Sequence, residues 1–81
     1  MSETQKLYEA IGSLANELAK TGKKMTFSEL NERLGNLRNS PRAMARDVSF
    51  AYDYFKKKGD YQTALNISQV ITNQNGDLAH L

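Results

Sequence analysis

Eighty-one residues make one small domain, a length that buries a core but leaves no chain for a second domain or a deep enclosed active site. A composition of 40% hydrophobic and 25% charged residues is that of a globular chain, and zero cysteines exclude disulfides, cysteine-ligated metal sites and any thiol nucleophile. The formal charge of +2 is the difference between unlike parts: residues 33–58 hold seven Lys/Arg against two Asp, while the flanking segments are both net acidic.

The first element spans residues 3–20, where Leu7, Ile11, Leu14 and Leu18 recur at spacings of 4, 3 and 4, and Tyr8 and Ala15 widen the stripe. That period predicts an amphipathic helix, which Thr21-Gly22 stops. Residues 1–20 lack the apolar run of a signal peptide and no run of about 18 apolar residues follows, so the expected compartment is the cytoplasm. Lys23-Lys24 lead into Thr26-Phe27-Ser28-Glu29, which reads as a capping box opening a second helix, with Met25 stapled on Leu30. This helix is short. It buries Phe27, Leu30 and Leu34 and ends before Gly35.

A turn over residues 35–39 carries one apolar anchor, Leu37, before Ser40-Pro41 supplies an N-cap and a proline at the first helical position. The third helix is expected from Pro41 to Lys58. Met44, Val48, Ala51, Tyr52 and Phe55 fall at helical spacing, and Lys56, Lys57 and Lys58 complement the dipole ahead of Gly59. In the last stretch Ala64, Leu65, Ile67, Val70 and Ile71 fit a loose helix, but the β-branched content of Thr63, Ile67, Val70, Ile71 and Thr72 favours a strand. Asn73-Gln74-Asn75-Gly76 then reads as a hairpin turn, with a short return strand over residues 77–81.

Three helices and a C-terminal β-hairpin in this order predict an α+β, mostly α fold: a single winged helix-turn-helix domain over residues 1–81. In that arrangement the third helix contacts DNA. Its outward stripe holds Arg42, Arg46, Ser49 and Asp53; Arg38, Asn39, Ser40, Lys23 and Lys24 are the expected phosphate contacts. Phe50, Tyr52, Tyr54 and Phe55 read as core and near-core aromatics, and His80 as a terminal surface residue. No paired carboxylates at catalytic spacing and no glycine-rich phosphate loop are present, so neither a catalytic role nor a cofactor nor a small-molecule substrate is expected. The function that follows is non-enzymatic binding of double-stranded DNA, in a regulatory or accessory role. The competing reading is a protein-interaction module, possible as a homodimer, in which the aromatics of the third helix or the hairpin edge dock a partner.

The segment Thr26-Phe27-Ser28-Glu29-Leu30-Asn31-Glu32-Arg33-Leu34-Gly35-Asn36, followed by Ser40-Pro41-Arg42-Ala43-Met44-Ala45-Arg46, resembles the DNA-binding winged helix of DNA alkylguanine alkyltransferases and alkyltransferase-like proteins. In that family a T-Y-G-E-L-A-x-x-L-G-N helix leads to an A-A-R-A-V-G-x-A recognition helix. The resemblance implies that Arg42 stands where an arginine enters the minor groove and replaces the flipped nucleotide, and that Phe27 stands where a tyrosine presses on the target phosphate. Residues 70–78 resemble the family's R-V-V-x-x-D-G-x-L segment. The P-C-H-R motif would fall at Asn66-Ile67-Ser68-Gln69, which holds no cysteine. Alkyl transfer to this chain is therefore chemically excluded, because no thiolate can accept the group.

Overall fold

Ser2 opens the first helix with a reciprocal cap: its hydroxyl accepts the Gln5 amide at 3.1 Å while the Gln5 side chain accepts the Ser2 amide at 3.2 Å. The structure, a computed structural model, describes residues 2–22, 26–35 and 41–79, and within the helices not the side chains of residues 28, 41, 42 and 74–79. The described residues form four helices: α1, Glu3–Thr21; α2, Phe27–Arg33; α3, Pro41–Lys58; and α4, Tyr61–Ala79. Gly22 closes α1 in the left-handed conformation, at φ 70°. Thr26 caps α2 by accepting the Glu29 amide at 3.2 Å, and the Glu29 carboxylate pairs with Arg33 one turn on. The expected Met25 staple, Leu37 anchor, Ser40 cap and His80 lie outside the described residues.

The expected β-hairpin is not formed: residues 61–79 are one helix, and the described residues contain no strand. The fold is therefore all-α rather than a winged helix-turn-helix. The start of α4 is prepared by the end of α3. Gly59, at φ 88°, lets the Asp60 amide reach the Phe55 carbonyl at 3.0 Å and its own amide reach Lys56 at 3.1 Å, the double bond of a Schellman stop. Asp60 then caps the next helix, accepting the Thr63 amide at 3.2 Å and the Thr63 hydroxyl at 2.7 Å. Helix on helix is thus joined by two residues.

Magnitudes explain why the β-branched residues do not prevail. Each costs a helix at most about 0.7 kcal/mol relative to alanine. Fully burying Ile67 or Val70, both at 0% exposure, returns about 1.5–3 kcal/mol each. As a helix, α4 turns Thr63, Ala64, Ile67 and Val70 together into the interior, and helix propensity is overridden by packing. The Asn73–Gly76 turn signal, a local preference only, falls inside the same helix.

The core is shared by all four helices. α1 contributes Ile11, Ala15 and Leu18; α2 contributes Phe27 and Leu30; α3 contributes Met44, Val48, Ala51 and Phe55; α4 contributes Ala64, Ile67 and Val70. α1, α3 and α4 pack against one another most extensively, and α2 touches all three. α1 comes close to both α3 and α4 at Gly12. A β-carbon placed there would meet the Phe55 ring at 2.4 Å and the Thr63 methyl at 2.9 Å, so only a glycine lets α1 settle between α3 and α4.

Candidate nucleic-acid interface

Burial of Met44, Val48, Ala51 and Phe55 on one side of α3 determines what the other side presents. Arg46, Ser49, Phe50, Asp53, Lys56 and Lys57 are exposed there. Of the residues expected to meet DNA, Arg46 and Ser49 are therefore on an open surface. Arg42 belongs to the first turn of α3, its side chain outside the described set, and Lys23, Lys24, Arg38, Asn39 and Ser40 lie outside the described residues altogether. Phe27 is different. At 7% exposure its ring is part of the core, which leaves it no phosphate to press on.

The basic segment is also less open than its sequence suggests. Arg33 is spent on α1 and α2: its guanidinium lies 3.1 Å from Glu29 and 3.6 Å from Glu17. Lys58 turns to α1, donating to Glu9 at 2.7 Å, and the Tyr54 hydroxyl donates to the same carboxylate oxygen, also at 2.7 Å. These two donors, Lys58 foremost, hold the Glu9 carboxyl below the usual carboxylate range. In return Glu9 raises both the Lys58 ammonium and the Tyr54 phenol above their ordinary values. Tyr54 also meets Tyr8 at 5.7 Å and Phe55 edge-on at 5.1 Å, so this corner latches the end of α3 to α1. Lys56 lies 5.7 Å over the ring of Tyr52 and keeps its charge at the surface. Among the described side chains, the open cations of the outer face are Arg46, Lys56 and Lys57.

The four aromatics of α3 separate by position. Phe55 is buried, Tyr52 and Tyr54 are half-buried against the core, and Phe50 is half exposed, at 50%. Phe50 was expected near the core; it lies about 100° round the helix from Ala51, on the solvent side of the apolar stripe. A helical-wheel count shows that angle, but the sequence does not say how wide the covered stripe is.

No known protein family, curated protein or solved structure matches this chain. Its reading rests on its own surface. Besides the α3 face, the described residues form an open depression of about 450 Å³ between α1 and α4, lined by Asn16, Lys20, Asp60, Gln62, Thr63 and Asn66, with Ala19. Its groups answer one another. Gln62 donates to Asn66 at 3.5 Å, Asn66 to Asn16 at 2.8 Å, Asn16 to Thr63 at 3.0 Å, and Thr63 to Asp60 at 2.7 Å. The chain ends on a carboxylate, and these hydroxyl and amide bonds from Thr63 hold Asp60 below its ordinary value. The network registers α4 against α1. Among the described residues no group of three His, Cys, Asp or Glu could hold a metal ion, and no helix is long and apolar enough to cross a membrane.

Proposed function

We propose that this chain is a non-catalytic, cytoplasmic DNA-binding domain, regulatory or accessory in role, that applies the outer face of α3 to double-stranded DNA. One observation carries the reading: the net-positive segment of residues 33–58 includes α3, a helix whose inner face is core and whose outer face carries exposed Arg46, Lys56 and Lys57. Lys and Arg fixed on one rigid ridge neutralise phosphates and release counterions, which requires neither a wing nor a pocket. Titration of a labelled duplex at two salt concentrations tests it. Affinity should fall steeply with salt, and Arg46→Ala should weaken binding and lower the salt slope by about one. Binding no tighter than that of a charge-matched control protein, or unchanged in Arg46→Ala combined with Lys57→Ala, refutes it.

A second reading is favoured by a separate observation. Tyr61 and Leu65, 67% and 53% exposed, stand one turn apart on α4 and offer an apolar spot to a protein partner or second copy. The hairpin edge earlier invoked for such docking does not exist, and Phe55 is buried. A strict monomer in sedimentation at high concentration rules out the homodimer form.

A further inference from the structure

Arg46, Phe50, Asp53 and Lys57 follow one another on α3 at spacings of 4, 3 and 4, which places them on a single ridge about 60° wide and about 16 Å long. All four are exposed, Phe50 at 50%. The order is cation, aromatic, anion, cation. We propose that this ridge binds single-stranded nucleic acid, with an unpaired base stacked on Phe50, its neighbouring phosphates held by Arg46 and Lys57, and Asp53 accepting a hydrogen bond from the amino group of the base. The proposal rests on the nucleic-acid reading of the outer face of α3 and puts an unpaired strand there in place of the duplex.

Three features point to an unpaired strand rather than a duplex. First, the faces of paired bases are covered by their neighbours, so an aromatic ring can stack only on a base that has left the helix; an exposed ring between two cations is the arrangement that single strands use. A lone exposed phenylalanine would need no explanation; its place between Arg46 and Lys57 does. Second, Asp53 sits in the middle of the ridge. A duplex groove is lined by phosphates on both sides, and a carboxylate pushed into it is repelled along its whole depth. A single strand can keep its phosphates at the two ends of the ridge and present only a base between them. Third, a carboxylate beside a stacked base is suited to an exocyclic amino donor, as Asp and Glu are to cytosine N4. Thymine offers only its ring N3–H, set between two carbonyl oxygens that repel a carboxylate, so Asp53 favours amino-bearing bases.

The experiment uses the whole chain and fluorescence anisotropy with three labelled probes: an oligo-dC, an oligo-dT of equal length, and a duplex. The oligo-dC should bind tightest. Phe50→Ala should weaken it about tenfold or more, the loss expected for one stacked base, and Phe50→Trp should restore it. Because Phe50 is half exposed, thermal unfolding of Phe50→Ala should match wild type, which separates lost stacking from lost fold. Asp53→Ala should bring the dC and dT affinities together. A Phe50→Ala variant that binds dC like wild type, or a duplex bound more tightly than either strand, overturns the proposal while the DNA-binding reading stands. A dC preference unchanged in Asp53→Ala overturns the base contact. If wild type binds none of the three probes, both readings fall.

Discussion

Gly12→Ala should destabilise this protein, although it replaces the weaker helix former by the best one. At an open helical site the change adds about 0.5–1 kcal/mol of stability. At Gly12 the new β-carbon falls 2.4 Å from two atoms of the Phe55 ring and 2.9 Å from the Thr63 methyl, against about 3.5–4.0 Å for an ordinary carbon contact. Neither neighbour has room to withdraw, since both Phe55 and Thr63 are only 4% exposed. Overpacking of this kind costs about 1–3 kcal/mol, so the clash outweighs the propensity gain and leaves a net loss of about 1–2 kcal/mol. For a domain of this size that lowers the melting midpoint by roughly 5–15 °C. Circular-dichroism melts of wild type, Gly12→Ala, Phe55→Leu and the double variant close a thermodynamic cycle. Truncating the ring opens the space the methyl needs, so the double variant should be no less stable than Phe55→Leu alone. A Gly12→Ala protein that melts at or above wild type would refute the close approach of α1 to α3 and α4.

Two further predictions concern the fourth helix and the charged corners. Ile67→Ala, at a fully buried site, should cost about 2–5 kcal/mol, whereas Leu65→Ala, 53% exposed, should stay within about 0.5 kcal/mol of wild type; a strand would put both residues on one face, so equal losses in denaturant titrations would argue against α4. Glu9 and Asp60 both have carboxyls held below their ordinary values, so the unfolded chain binds protons first on acidification. Their stabilisation is complete above about pH 5 and is lost as pH falls through the folded values. Lys58 and Tyr54 are raised instead, so their contribution is present below about pH 10 and lost as pH rises through the folded values. Glu9→Gln should flatten the alkaline limb of a midpoint-versus-pH curve and part of the acid limb, leaving the Asp60 share; a curve that Glu9→Gln does not change would show that the corner contributes nothing.

Much of α1, α2 and α3 was legible because their signals are local. The Thr26 cap, Gly22 and Gly35, the proline at the start of α3 and a 3.6-residue apolar period act within a few residues of chain, and the buried positions Ile11, Leu18, Leu30, Met44, Val48 and Phe55 follow from that period. The stop and start at Gly59 and Asp60 were equally local: an aspartate three residues before Thr63 is an N-cap signal. The β-branched run and the Asn73–Gly76 turn signal pointed to a strand and the Asp60 cap went unread, since the energy that decides between helix and strand there does not lie within the segment.

The sequence by itself therefore determined three helices, their inner faces, the absence of thiol chemistry and the position of the basic segment on α3. Tertiary structure decided the rest. Residues 61–79 are a helix because α1 and α3 together offer an apolar surface that accepts Ala64, Ile67 and Val70 at helical spacing, and because Asn16 hydrogen-bonds Thr63 and Asn66 across the interface. The same packing settled which charges and rings are open to a ligand: Glu9 takes Lys58 and Tyr54, Glu17 and Glu29 take Arg33, and α1 and α4 cover α3 only as far as the edge where Phe50 stands. Partners that are 45 to 49 residues apart in the chain cannot be paired from local pattern, and the width of the face a neighbour covers is a property of the neighbour.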